Sequence, residues 1–424
     1  MLVVPNKYVD ELRRMPETRL SSMVANVENF QGSYSTIDIL LRGNLHTHAI
    51  QTKLTPRLGM FVPLICEEIK KAMAEVFPPC EGQWATIRFD TITRLVVREF
   101  ARISVAPLQE DTQWREIQRK YPENVFRVAI QMRIIPRGFK RLASWILPST
   151  WAIYFNLCNA KSLVSPIVKH RRKMEASGDV TYEKPNDFLQ WLMDEAWNEK
   201  DGQPDALVHR LLVLALASVH TTSMTAVQAL FDLIAYPEYQ QPLRAEILQA
   251  LQEDGGWKKT TLTKLRKMDS FMKESQRLNG PSLLGFKRAV MEPITLSDGV
   301  VLPKGIHLVF PVVPIALESV SPHPEKFDGF RYYRERQQPG HANLHQFAMT
   351  DKDNMHFGHG KYSCPGRFFA THSIKILLAH LLLDYDLKFP DGATRPKNFC
   401  AHEYVFPDPT ADILIRKKDV PFAP

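Results

Sequence analysis

Cysteine is scarce in this 424-residue chain. Cys66, Cys80, Cys158, Cys364 and Cys400 are odd in number and show no Cys-x-x-Cys spacing, which argues against a disulfide framework or a structural zinc site and fits a reducing compartment. Long apolar runs are missing as well. A bilayer-spanning helix needs about 20 mostly apolar residues, whereas the longest uninterrupted run, Leu211 to Ala217, is far shorter. Residues 1–20 have neither the apolar core nor the cleavage site of a signal peptide. They read as a short strand running into a helix, so the chain is expected to begin inside a domain. No repeat or low-complexity tract is present, and there is no basic arm. The 54 Lys and Arg against 46 Asp and Glu give a net charge of +8 spread along the chain, and no nucleic-acid partner is expected. With 44% hydrophobic residues and a mean hydropathy of -0.23, the chain is an ordered globular protein and not a disordered one.

Helical periodicity dominates what is present. Apolar residues recur at i, i+3, i+4 over Leu58 to Val76, Val125 to Ile135, Ser162 to Glu175, Asn186 to Asn198, Ala206 to Ala235, Leu243 to Glu253, Leu262 to Leu278 and Gly366 to Leu383. Strand character is confined to Ser282–Ile294, Val300–Val309 and the tail from Glu403 to Ile415. The expected class is mainly α with a minor β component. No composition break marks a linker, so residues 1–424 are read as one domain. The helix over Ala206–Ala235 far exceeds the mean of about 11 to 12 residues, and in its middle the apolar run gives way to His220-Thr221-Thr222-Ser223.

The segment Phe357 to Ala370, FGHGKYSCPGRFFA, carries the strongest chemical signal. Gly358 and Gly360 suit a tight turn, Pro365 removes a backbone donor, and a helix is predicted from Gly366. A cysteine just ahead of a helix N-terminus feels unpaired N–H groups and the positive end of the macrodipole, which favour thiolate. A packed structural cysteine is the plain alternative.

This segment resembles the haem-binding loop of cytochromes P-450. The resemblance implies a triangular P-450 fold with haem b between the long oxygen-side helix and the cysteine-loop helix. It makes Cys364 the axial iron ligand, Phe357 and Gly358 part of the haem cradle, and the N–H groups of Gly366 and Arg367 donors to the sulfur. Glu274 and Arg277, three apart on one helix face, together with Arg331, resemble the family's buried Glu-Arg-Arg network, although Gly329 and Phe330 depart from its usual pattern. Ala217 to Thr222 resembles the oxygen-side pattern, with Thr221 in the proton-delivery position and His220 where an acid is common. His220 is read either as a proton relay or as a buried, hydrogen-bonded histidine. By the same resemblance Arg288, His48, Lys53 and Tyr362 would meet the haem propionates. Phe30, Leu214, Ala217, Leu283, Leu284, Phe286, Tyr404 and Phe406 would line the substrate pocket, and their character implies a hydrophobic substrate.

The implied activity is a monooxygenase of the fungal type that serves terpenoid and related secondary pathways. Electrons would come from NADPH through cytochrome P-450 reductase, with cytochrome b5 as an auxiliary donor, and Lys361 and Arg367 would offer a basic docking face. A monomer on the cytosolic face of the endoplasmic reticulum is expected, the chain as given starting after the anchor, hinge and first helix of microsomal relatives and being itself soluble or peripheral. The alternative left open is a haem-thiolate enzyme of peroxide-driven or rearrangement chemistry, or a non-catalytic haem binder.

Overall fold

The computed structural model describes residues 1–312 and 324–419. Eight helices carry the argument: α1 (Thr55–Val76), α2 (Phe89–Ser104), α3 (Thr112–Ile134), α4 (Pro148–Ala176), α5 (Pro204–Ala235), α6 (Arg266–Asn279), α7 (Arg331–Glu335) and α8 (Arg367–Asp384). Strands are short: β1 (Leu2–Val3), β2 (Leu20–Ser21), β3 (Ala85–Ile87), β4 (Leu284–Val290), β5 (Ile294–Thr295), β6 (Val301–Leu302), β7 (His307–Pro311), β8 (Tyr385–Lys388), β9 (Phe399–Ala401), β10 (Tyr404–Phe406) and β11 (Ile413–Lys417). The fold is mainly α with a minor β component, as the periodicity predicts.

The chain divides into two compact units that interleave along the sequence: 1–22, 57–95 and 221–424 form one, and 23–56 with 96–220 form the other. Neither is a contiguous segment, which explains why no linker shows in the composition.

In the first unit, β1, β7, β4 and β2 form a four-stranded sheet in that order, and β3, β11 and β8 form a three-stranded one. The pairs β5–β6 and β9–β10 are antiparallel hairpins. Val9, Leu12, Leu20, Phe286, Val290, Leu308, Phe310 and Met355 pack into a core against the larger sheet. Strand β4 shifts register between Gly285 and Arg288, where Phe286 has a φ of 49°; such a bulge re-aims the side chains around it.

The second unit is helical among the described residues. Its α3 packs along α4, and Asp111 caps α3 by accepting from the Trp114 N–H at 2.7 Å. Arg171 and Asp187 form a bidentate ion pair at 2.7 and 2.6 Å, and Asp187 also accepts from the Ala106 N–H.

Helices α1, α3 and α4 contain Pro63, Pro122 and Pro166. Periodicity starts α3 at Val125 and α4 at Ser162; the structure extends both toward the N-terminus, carrying α3 through Pro122. None of the periodic segments covers helix α2. Its Thr91, Ile92, Thr93, Val96, Val97 and Ile103 are β-branched and weaken the helical signal. Helix α5 is long and apolar enough to cross a bilayer by composition, with a mean hydropathy of 1.4 over its best window, yet 83% of that window is buried inside the protein. It is a core helix.

Candidate active site at the cysteine loop

The loop before α8 is closed by its own backbone. The Cys364 N–H donates to the Phe357 carbonyl at 2.7 Å, Gly358 to Met355 at 2.8 Å, and Ser363 to Gly360 at 3.1 Å. Gly358 and Gly360 hold φ of 68° and 75°, the left-handed region where glycine pays no steric penalty. Phe357 stands edge-on to Phe347 with centroids 5.4 Å apart. Gly366 caps α8, and the N–H groups of Gly366 and Arg367 both bond the Cys364 sulfur.

Burial nevertheless pushes the Cys364 thiol up, ahead of the opposing pull of the Gly366 N–H, the Arg367 charge and the Arg367 N–H. The helix terminus pulls toward thiolate as its position implies, but desolvation outweighs that pull until a counter-charge is present. A cation at the sulfur is what completes deprotonation. The Arg367 guanidinium turns inward to donate to the Cys364 carbonyl at 2.8 Å, so of the two cations expected on an outward basic face, Lys361 is the exposed one.

Arg288, on β4, lies 4% exposed. Its guanidinium sits 3.9 Å over the Phe286 ring and 5.4 Å from the Tyr362 ring. Nη1 donates to the Lys287 carbonyl at 2.9 Å, while Nη2 is buried without a partner. Burial lowers the Arg288 pKa to about 10, which leaves it charged at neutral pH. Phe286, expected against substrate, is instead 3% exposed in the sheet core, where it supports Arg288; the bulge turns it inward.

Glu274, Arg277 and Arg331 come together. Arg277 donates Nε and Nη2 to the two Glu274 oxygens at 2.8 and 2.7 Å, and Arg331 approaches Oε1 at 3.4 Å through both Nε and Nη2. The Asp328 N–H adds a bond at 3.0 Å, and Arg277 Nη1 reaches the Pro324 carbonyl at 2.6 Å. Glu274 is fully buried. Since α6 and the segment 324–331 are far apart in sequence, the Arg331 contact fastens the loop to the helix.

Along α5, every residue from Arg210 to Ile234 is buried except Ala217, Ser218 and Thr221. Spaced i, i+1, i+4, these three form one open patch on an otherwise enclosed helix. Ser218 Oγ and Thr225 Oγ1 bond back to the Leu214 and Thr221 carbonyls at 2.8 and 2.9 Å, while Leu214 itself is buried. His220 turns away from the patch: its Nε2 meets the Arg119 carbonyl at 3.1 Å. A carbonyl only accepts, so that nitrogen carries the proton.

His48 and Lys53 share Glu195, at 2.9 and 2.6 Å, on the α-turn and π-turn that precede α1. Lys53 foremost, then His48, holds the Glu195 carboxyl below its usual range. Sequence alone gives no sign of Glu195, because nothing in the spacing links residue 195 to 48 and 53. Of the remaining expected pocket residues, Phe30 packs edge-on against Phe126 at 5.3 Å and Phe406 stacks on Phe399 at 5.0 Å. Leu283 and Leu284 are tied to Tyr404: the Leu283 N–H donates to the Glu403 carbonyl at 2.8 Å, Val405 to Pro281 at 3.1 Å, and Lys287 Nζ reaches Glu403 Oε1 at 2.7 Å. Leu283 is 39% exposed.

A family model for cytochrome P450 matches residues 39–415. The chain belongs to the cytochrome P450 family. It is 51% identical over 99% of its length, and 79% of the relative's, to the cytochrome P450 monooxygenase AN1598 of Emericella nidulans. It is 40% identical to the monooxygenase paxP of Penicillium paxilli, covering 81% of that protein, and 34% identical to the ent-kaurene oxidase P450-4 of Gibberella fujikuroi, covering 83%. The structure of retinoic acid-bound cyanobacterial CYP120A1 superimposes with a TM-score of 0.66 at 17% identity, over 88% of this chain and 78% of that one, and shows the same fold.

As a P450, this chain is an oxygen-incorporating oxidoreductase that takes haem, a redox partner and a small-molecule substrate. Its residues fit haem. The partnerless Nη2 of Arg288 is a buried cationic donor that a propionate would satisfy. Gly366 has an ordinary φ of -85° and nothing within 4 Å of where a Cβ would stand, so the chain itself does not demand glycine there, whereas a flat ligand lying close does.

Proposed function

We propose that this P450 inserts one oxygen atom of O2 into a hydrophobic small molecule of the terpenoid or related secondary-metabolite class, with electrons from NADPH-cytochrome P450 reductase and cytochrome b5 as an auxiliary donor. The carrying observation is the Cys364 sulfur held under two backbone N–H groups at the start of α8, with the partnerless Arg288 guanidinium in the same unit. Haem, when bound, supplies the redox-active iron at which dioxygen is reduced.

The chain's residues do the rest. Cys364 is the iron ligand, and the Gly366 and Arg367 N–H groups draw charge from its sulfur and so set how strongly it donates. Phe357, packed edge-on against Phe347, stiffens the loop that carries the sulfur. Arg288, stiffened by Phe286 and Tyr362, takes a propionate. Thr221, partly exposed on α5, holds a proton on Oγ1 for delivery. His220 anchors α5 to α3 and leaves proton delivery to Thr221, since its Nε2 proton is committed to the Arg119 carbonyl. Leu283, Leu284 and Tyr404, bound together through the Glu403 backbone and Lys287, offer an apolar wall to the substrate. Lys361 offers an acidic flavoprotein a docking charge. Phe139, Leu142, Trp145 and Ile146 stand out from the second unit, each more than 60% exposed, beside Lys140 and Arg141; such a patch supports seating of a monomer on the cytosolic face of the endoplasmic reticulum.

The test is turnover with reductase and NADPH under 18O2 on a panel of terpenoid substrates. Wild type is expected to place one labelled oxygen in the product. Cys364→Ala is expected to lose the thiolate band of the reduced carbon monoxide complex. Thr221→Ala should keep that band yet yield less product per NADPH and more hydrogen peroxide, general acid assistance being typically worth about 100- to 10,000-fold. Unlabelled product, or a thiolate band that survives Cys364→Ala, sinks the reading.

A further inference from the structure

Helix α7 ends at Glu335, and the loop that follows returns two histidines to it. One ligand atom from each of Glu335, His341 and His345 lies within 4.8 Å of the others. The imidazole centroids are 5.4 Å apart, at 51°. His341 Nδ1 and His345 Nε2 are both buried, and neither has a hydrogen-bond partner. Two buried imidazole nitrogens left unsatisfied within reach of one carboxylate need an explanation, since buried polar atoms are almost always paired. The backbone also invests in this arrangement: His345 adopts a φ of 59°, a region that costs a non-glycine residue energy, though histidine tolerates it better than most.

We propose that Glu335, His341 and His345 form a binding site for a borderline divalent transition-metal ion, with Zn2+ as its ligand of choice. Two imidazoles and a carboxylate are a zinc-type donor set with a fourth position left to water, whereas Ca2+ and Mg2+ require oxygen donors throughout. With zinc-ligand distances of about 2.0–2.2 Å, donors on one tetrahedral ion stand roughly 3.4 Å apart, so side-chain rotation has to close the set by about 1.4 Å at most. Supporting contacts are in place. Gln338 Nε2 donates to Glu335 Oε2 at 3.2 Å and orients the carboxylate, while the Tyr332 ring stacks on His345. Burial, and then the charge of Lys273, disfavour a protonated His345, with Glu335 and then Asp351 opposing, and the neutral imidazole is the form that ligates. The same Lys273 ammonium, 4.7 Å over Tyr332, adds a repulsive charge, and the site is correspondingly weaker than a closed four-ligand zinc site.

The ion has a structural consequence for the haem loop. Arg331, at the start of α7, is bonded to Glu274, and two residues past His345 the Phe347 N–H donates to Asp269 at 2.9 Å while its ring meets Phe357. A metal bridging Glu335 to His345 pins the far end of that connection.

The experiment uses haem-loaded protein treated with EDTA, desalted and equilibrated with micromolar Zn2+. Wild type is expected to retain about one Zn2+ per haem, and the double variant His341→Ala, His345→Ala none. Glu335→Gln should weaken binding about tenfold or more, because even outer-shell partners are worth about 10- to 100-fold. His170→Ala, at an exposed histidine of α4, should leave retention unchanged, as should a large excess of Mg2+ or Ca2+. If the double variant loads haem poorly, diethyl pyrocarbonate footprinting of wild type decides: Zn2+ should protect His341 and His345 and leave His170 reactive. No zinc retained by wild type, equal retention by the double variant, or no protection of the two histidines overturns the proposal.

Discussion

Arg288, which the family resemblance offers to a haem propionate, gains a physical reason for that role from its surroundings. A guanidinium buried among aromatic rings with one nitrogen unpaired is costly unless something ionic meets it, and hydrogen bonds to charged groups are worth about 1.5 to 3 kcal/mol. Arg288→Leu is therefore expected to weaken haem retention by roughly 10- to 100-fold, read as faster haem transfer to apomyoglobin. Arg288→Lys should recover only part of it, because an ammonium cannot reproduce the planar stack on Phe286 and Tyr362. Transfer as slow as wild type from Arg288→Leu would show that the unpaired nitrogen has no ionic partner. His220 teaches the complementary point. Its position along α5 left relay and packing equally open, and the direction of one hydrogen bond, into the Arg119 carbonyl, favours packing.

At the scale of elements, the network of Glu274, Arg277 and Arg331 joins α6 to α7 and to the segment 324–328. Removing one partner of a buried pair strands the other charge, at a cost of about 3 to 5 kcal/mol against a typical total stability of about 5 to 15. Arg277→Ala is thus expected to lower the thermal midpoint sharply and to reduce the yield of haem-loaded protein. Glu274→Gln, which leaves two guanidinium groups without a counter-charge and turns one accepting oxygen into a donor, should do so at least as strongly. A wild-type melting curve for Arg277→Ala would reduce the pair to a surface contact. The Glu–Arg pair was legible because i, i+3 spacing on a helix puts two side chains on one face whatever surrounds them. Helix starts were read less well. Proline disfavours a helix interior through its missing N–H and its ring, yet α3 runs through Pro122; packing in the second unit overrides that local preference.

For the whole molecule, the interleaving of two units means that α5 belongs to both, and that no linker or composition change separates them. The second unit carries the exposed patch of Phe139, Leu142, Trp145 and Ile146, and burying one large apolar side chain is worth about 1.5 to 3 kcal/mol. Trp145→Ser and Ile146→Ser are each expected to weaken partition into phospholipid vesicles about tenfold or more, measured by co-sedimentation, with haem content unchanged. Equal sedimentation would remove the patch from any membrane contact. What the sequence alone determined is whatever short spacing and backbone sterics decide: the glycine turns at 358 and 360, Cys364 at the head of α8, the Glu274–Arg277 face, the helical class and the break at His220 to Ser223. What only the tertiary structure decided is partnership across the chain: that Glu195 meets His48 and Lys53, that Phe286 turns into the core beneath Arg288, that desolvation outweighs the helix terminus at the Cys364 thiol, and that Glu335, His341 and His345 converge. Spacing dictates which side chains share a face, but which face meets which, and what is shut away from water, depends on how distant segments pack.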